Sequence, residues 1–380
     1  VREGSWARRC PTVLKHLSPP YSLRDKRFWV FSTLTLLLLP WVVGAAGGNY
    51  WVRVLDFALL YVVLALGLNV VIGFAGLLDL GYIAFYAVGA YSYALLASPH
   101  LTTHFPVIAN AFPAGMHFPL WGALIISFAL AALFGILLGF PTLKLRGDYL
   151  AIVTLGFGEI IRIFLNNLDR PINFTNGPKG IGNIDSIQLF GLNLSKPLSL
   201  FGLQIPSLYL VFYFFLLLAV LVTLVCWRLE HSRTGRAWIA IREDEIAAEA
   251  MGINTRNMKL LAFAIGASFA GAAGVLFAAF QGFVSPESFT LWESIVVLAM
   301  VVLGGMGHIP GVILGAILLA IFPEILRSIA APVQQFLFGS VIMDVEIIRQ
   351  LLYGLALILI MLYRPNGIWQ KPEQLKRVRA

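Results

Sequence analysis

The stretch WRLEHSRTGRAWIAIREDEIAAEAMGINTRNMK, Trp227–Lys259, decides the fold because of what flanks it. Residues 207–229 before it and 258–280 after it are apolar runs, each long enough as a helix to cross a bilayer. A charge-dense segment between two such runs is held in water between two membrane crossings. The rest of the chain agrees. Of 380 residues, 59% are hydrophobic and only 12% charged, which is too few to coat a soluble domain. Mean hydropathy is +0.84. The reading is an all-α polytopic membrane protein with one transmembrane domain, 28–363. Basic tails, 1–27 and 364–380, flank it, and 230–257 is its large charged loop.

Working outward, helical periodicity marks ten spans: 28–47, 52–73, 81–97, 119–140, 149–166, 207–229, 258–280, 292–304, 311–328 and 346–363. Open strands leave unpaired backbone groups in lipid, so helices are required. The long runs also exclude a transmembrane barrel, whose strands alternate over short segments. The net charge of +8 does not indicate nucleic acid. The basic residues gather in both tails, in the turn at Lys144 and Arg146, and at both ends of the charged loop. The loops 98–118, 281–291 and 329–345 contain no Lys or Arg. Basic loops stay cytoplasmic, so both termini and 230–257 are expected inside and those three loops outside. The run Thr33–Gly47 has a second reading as a secretory signal; its long basic preface favours a retained span. Cys10 and Cys226 suggest neither a metal site nor a disulfide framework.

No set of side chains announces chemistry. No Gly-x-x-x-x-Gly-Lys loop is present, so ATP is not expected to bind this chain. His100, His104 and His117 share a loop without the spacing of a metal site. No acid, base and nucleophile converge, so the chain is not read as an enzyme.

Two hydrophobic stretches are broken by glycine: Gly73-Phe-Ala-Gly76-Leu-Leu-Asp79-Leu-Gly81 and Gly304-Gly305-Met-Gly307-His308-Ile-Pro310-Gly311. Breaks in corresponding halves of a transporter point to its pathway. Tight turns or close helix contacts explain them equally well. Ionisable or polar groups within spans are costly and become candidates by default. Asn69, Gly76, Asp79, Glu159, Arg162, Gly304 and Gly305 are therefore the pathway candidates. Each has a plainer reading: Asp79 as a cap for the next helix, and Glu159–Arg162, at i and i+3, as a structural ion pair.

Within the charged loop, Arg242, Glu245 and Glu249 are spaced to share one face of a short helix. Ile239, Ile246, Ala247, Ala250 and Met251 lie mostly on another, and Gly252 follows as a C-terminal cap. The acidic run Glu243-Asp244-Glu245 disfavours anionic lipid, so the expectation is a helix presented to a protein partner, with small alanines on its surface.

Four stretches carry a family resemblance: LRGDYLAIVTLGFGEIIR at 145–162, GRAWIAIREDEIAAEAMGI at 235–253, AFAIGASFAGAAGVLFAAFQGFVSPESFT at 262–290 and VVLGGMG at 301–307. They resemble the LivH/LivM-type permease subunits of bacterial branched-chain amino acid ABC importers, in the ribose-permease-like superfamily. The resemblance runs through nearly all of 52–369, to RPNGIW at 364–369. It implies a bacterial inner-membrane protein that translocates leucine, isoleucine and valine. It also implies a second, LivH-like permease subunit, two cytoplasmic ATPase subunits that carry ATP and Mg, and a periplasmic amino-acid-binding protein. The family's ATPase-docking loop falls on Glu245, Ala247, Ala248 and Gly252. Arg242, Glu243, Asp244 and Glu249 beside them complete the candidate coupling set. After VVLGGMG the chain departs from the pattern at His308-Ile309-Pro310-Gly311. Permeases of urea importers carry similar loops and form the alternative. An ion-coupled carrier acting alone is a weaker reading, because the spans hold few acids and such a carrier needs no docking helix.

Overall fold

The computed structural model describes residues 26–112, 115–142, 145, 147–189, 192–200 and 203–338, with helical fragments between 347 and 362. The first helix, α1 (Lys26–Leu68), is interrupted at Gly48, whose φ of 77° is left-handed. There the chain divides into two units, Val1–Gly48 and Asn49–Ala380. The described part of the first is helix with Pro40 inside it; Leu36, Leu37, Leu38, Trp41 and Val42 are exposed, as on a lipid-facing surface.

The second unit is built from helices. The rest of α1 passes at Leu68 into one turn of π-helix, Asn69–Phe74, and then into an irregular turn. α2 (Ile83–Leu96), the short α3 (His100–His104) and α4 (Pro106–Ala111), α5 (Leu120–Thr142) and α6 (Asp148–Asn167) follow. After two small antiparallel hairpins within 188–205 come α7 (Ser207–Glu230), α8 (Arg233–Glu243), α9 (Glu245–Ala250) and α10 (Thr255–Gln281). α11 (Leu291–Gly304) and α12 (Ile309–Phe338) complete the set.

α10 lies at the centre, packed along α5 and α2. Its Gly/Ala-rich sequence explains this, because apolar surface alone does not drive helices together in lipid and close backbone approach must. A Cβ on Gly271 would sit 2.5 Å from the Ala131 Cβ and 2.8 Å from the Ser127 carbonyl. One on Gly89 of α2 would sit 2.1 Å from the Gly271 carbonyl oxygen. Aromatic rings then fill the outer layers, Tyr86 against both Phe277 and Phe289. Gly89→Ala is expected to destabilise the purified protein by about 1–3 kcal/mol, the usual range for overpacking against a rigid neighbour. Gly156→Ala, whose Cβ meets nothing within 4 Å, should leave the melting temperature in place. Gly122 cannot serve as that control, because its Cβ would meet the Phe118 ring at 2.4 Å.

Helix occupies each of the first nine expected segments. Six stretches are long and apolar enough to cross a membrane: Thr35–Phe74, Leu120–Thr142, Ser207–Glu230, Thr255–Gln281, Pro286–Gly304 and Ile309–Ser328. This establishes a multi-pass membrane protein, with six such helices among the described residues where the sequence suggests ten spans. The stretch Thr35–Phe74 takes in two expected spans, 28–47 and 52–73, while α2, with only 14 residues, and α6 are not among the six. The tenth segment, 346–363, falls largely outside the described residues, as do Lys144, Arg146 and both basic tails.

The loops sort to two ends of the second unit. At one end, Asp185 Oδ2 meets His117 Nδ1 at 2.7 Å, and the Asp185 amide donates to the Ala97 carbonyl at 2.8 Å. Ile181 bridges Val284, and Asn173 Nδ2 meets His104 Nε2 at 3.3 Å. The loops 98–118, 168–187 and 281–291 are thus gathered together. Burial, and then the neighbouring His104, push the His100 imidazole below its ordinary value.

Candidate functional site

At the other end lie the charged loop and the two glycine-broken stretches. The charged loop is not one amphipathic helix, as its residue spacing suggests, but two. Asp244 adopts extended backbone, φ −157° and ψ 112°, ending α8. Its Oδ1 then accepts from the amides of Ile246 and Ala247, at 2.9 and 3.0 Å, capping α9. The break means that Arg242, Glu245 and Glu249 do not share one helix face. α8 is itself capped by Ser232, whose Oγ accepts from the Gly235 amide at 3.1 Å. α8 is fastened to the bundle by Trp238, which is fully buried and donates from Nε1 to the Met258 carbonyl at 2.8 Å.

The coupling candidates therefore divide into two groups. Glu243, Asp244, Ala247, Glu249 and Gly252 face outward and are exposed, as is Met251 beside them. Gly252 has φ 85°, with open space where a Cβ would stand. It is the left-handed cap expected from sequence, and any strain of substitution there would come from the backbone alone. Ala248, by contrast, is 4% exposed and belongs to the inner surface rather than the outer one. Glu245 also turns inward. Its Oε1 lies 2.6 Å from Nζ of Lys259, an almost entirely buried lysine near the start of α10.

Arg242 reaches furthest. Its Nη1 donates to the carbonyl of Gly73, inside the π-turn. A Cβ on Gly76, φ 72°, would strike the Arg242 stem at 2.8 Å. From the same π-turn, buried Asn69 accepts at Oδ1 from the Gly307 amide at 2.8 Å. A Cβ on Gly73 would lie 2.0 Å from that Oδ1 and 2.6 Å from the Gly307 nitrogen. The two broken stretches, far apart in sequence, are therefore in contact, and Arg242 ties them to α8. A π-turn leaves its carbonyls poorly shared within the helix, which frees the Gly73 oxygen for the guanidinium.

Gly304 and Gly305 have the plainer role. Gly304 packs on Gly311, where a Cβ would stand 2.4 Å from the Gly311 oxygen. Gly305, with φ 109°, makes the turn between α11 and α12. Asp79 is buried, and its Oδ1 accepts from the Gly81 amide at 2.9 Å, a local turn just ahead of α2. Thr154 of α6 accepts at Oγ1 from the Leu80 amide at 3.0 Å, closing this corner.

Glu159 and Arg162 do pair, Oε2 to Nη2 at 3.0 Å, but both are on α6 and about a third of each side chain is exposed, 33% and 29%. The pair therefore neither locks two helices together nor lies buried, as a structural pair would. Glu287, from the loop before α11, stands 3.8 Å from the Arg162 Nη1. Sequence reading missed Asp56, fully buried in α1 with no hydrogen-bond partner for either oxygen among the described residues. Its signal was available, as a lone carboxylate in an apolar span.

Residues 50–361 match the family model described as branched-chain amino acid transport system / permease component. The high-affinity branched-chain amino acid transport system permease protein LivM of Escherichia coli (strain K12) is 44% identical over 359 residues, 91% of this chain and 75% of its own. A probable LivM of Methanocaldococcus jannaschii is 27% identical, over 81% of this chain and 90% of its own. The LivH permease of Salmonella typhimurium is 27% identical, over 82% and 92%. No solved structure matches. The matched region contains α8, α9, the π-turn and both broken stretches, and with more than four-fifths of the chain inside it, the chain belongs to the branched-chain amino acid transport system permease family.

Proposed function

We propose that this chain is one permease subunit of an ATP-driven importer that carries leucine, isoleucine and valine across the bacterial inner membrane. The relatives' names support the solute class, and the resemblance to a LivH permease supports a second, related subunit beside this one. The urea alternative has less ground, since the relatives quoted are named for branched-chain amino acids. In this reading the chain makes ten crossings with both termini in the cytoplasm. ATP and Mg bind on two partner ATPases, and a periplasmic binding protein delivers the solute to the end gathered around Asp185.

The observation that carries the reading is the connection from α8 through Arg242 to Gly73, and from Asn69 to Gly307. Glu243, Asp244, Ala247, Glu249 and Gly252 present the docking surface to an ATPase. Glu245, Ala248 and Arg242 transmit its displacement to the broken stretches. A carrier acting alone has no use for such an exposed, buttressed helix pair. The test is uptake of labelled leucine and labelled urea by a strain lacking its own systems and given this chain with its partner genes. Leucine uptake that stops when the ATPase loses its nucleotide-binding lysine supports the proposal. Urea uptake alone, or uptake indifferent to that lysine, refutes it.

A further inference from the structure

Among the described residues, α6 is the one helix of 18 or more residues outside the six stretches named above. It carries a stripe. Asp148, Ile152, Leu155, Glu159, Arg162 and Asn166 recur at alternating spacings of four and three, so they follow one side of the helix from end to end. With 20 residues, α6 is about 30 Å long, the depth of the hydrocarbon core. All six are at least partly exposed, and the stripe borders the side packed into the bundle, where Thr154 and Leu165 are buried and Ala151 lies next to it. The exposed face on the other flank of the stripe is apolar over most of its length, with Tyr149, Ile160, Ile163 and Phe164, and ends at Asn167.

Hydrocarbon can cover the apolar face but not the stripe, where a carboxylate, a guanidinium, an amide and a second carboxylate would be left in lipid. We infer that the stripe lines the water-filled pathway and that Glu159 and Arg162 are a low-affinity contact for the zwitterionic end of the solute. This rests on the amino-acid reading above. The chemistry matches on both counts. An α-ammonium finds Glu159, with Glu287 nearby at the mouth, and an α-carboxylate finds the Arg162 fork. Ile152 and Leu155, further along the stripe, offer an aliphatic side chain a surface. The pair is held on one helix, so it is presented ready-made and needs no second element to assemble it.

The test uses the complete transporter after Cys10 and Cys226 are replaced. Leu155→Cys and Asn166→Cys are treated with a charged, membrane-impermeant thiol reagent, against Leu221→Cys on the exposed apolar side of α7. Both stripe positions are expected to react at least about tenfold faster than Leu221→Cys, and ATP-driven cycling should change their rates. Rates no faster than the Leu221→Cys control in every nucleotide state overturn the lining, whether lipid or the second permease covers the stripe. For the solute contact, Glu159→Gln and Arg162→Lys are measured by maximal leucine transport rate with binding protein saturating. A fall of about tenfold at normal protein yield is expected, and an unchanged maximal rate in both overturns the contact. Thiol rates do not depend on which solute is carried. A complex that reacts as predicted yet carries no leucine therefore refutes the amino-acid reading and leaves the lining in place.

Discussion

Glu245→Ala is expected to be the most damaging single change in the charged loop, and to act through the fold. The carboxylate stands 2.6 Å from the Lys259 ammonium, whose side chain is only 6% exposed. Removing one partner of a buried pair strands the other charge where water cannot reach it, at a typical cost of about 3–5 kcal/mol. Reversal to lysine should be worse still. The expected result is a sharp fall in folded yield and in the melting temperature of the detergent-purified protein. Glu245→Ala combined with Lys259→Met should recover most of both, because no charge is then left unpaired. If the double variant is as unstable as the single one, the pair is not what holds α9 against α10. Position 245 is thus unsuitable for probing ATPase contact directly; exposed Glu249 and Met251 serve that purpose.

Arg242→Gln should do the opposite, sparing the fold and impairing transport. Arg242 lies in the last turn of α8, one turn beyond the Trp238 anchor, and what it adds is a charge-assisted bond to the Gly73 carbonyl. Such bonds contribute about 1.5–3 kcal/mol, enough to shift a two-state equilibrium by roughly tenfold or more. The variant should assemble with the ATPase and hydrolyse ATP near the parental rate, while leucine moved per ATP falls about tenfold. Arg242→Lys should recover part of the loss, keeping one donor but not the planar fork. Equal losses of hydrolysis and transport would place Arg242 in the ATPase interface instead of the linkage.

Which parts of this were legible beforehand follows from local chemistry. Hydropathy placed α5, α6, α7, α10 and α11 within about three residues of their observed ends, because bilayer-length apolar runs have few alternatives. The left-handed cap at Gly252 was also readable, since glycine after a run of helix formers has one common use. The break at Asp244 was not read, although Asp ahead of Glu-Ile-Ala-Ala is a helix-start signal; the periodicity of the flanking residues obscured it. In projection Arg242 falls one turn after buried Trp238, on the same side of α8, but that does not tell what the guanidinium meets. Its inward reach depends on a π-turn some 170 residues earlier, which no periodicity reports. Asn69 likewise meets Gly307 only through tertiary packing. The Glu159–Arg162 spacing was visible, but its exposure was not, because that depends on which neighbours cover α6.

The most direct test of the central claim is leucine uptake by proteoliposomes holding the complete transporter, with ATP supplied on the side of α8 and α9 and binding protein on the other. Leucine should accumulate only with ATP and all subunits present, and Arg242→Gln should lower leucine moved per ATP hydrolysed. Accumulation by this chain alone under a proton or sodium gradient, without any ATPase, would contradict the account.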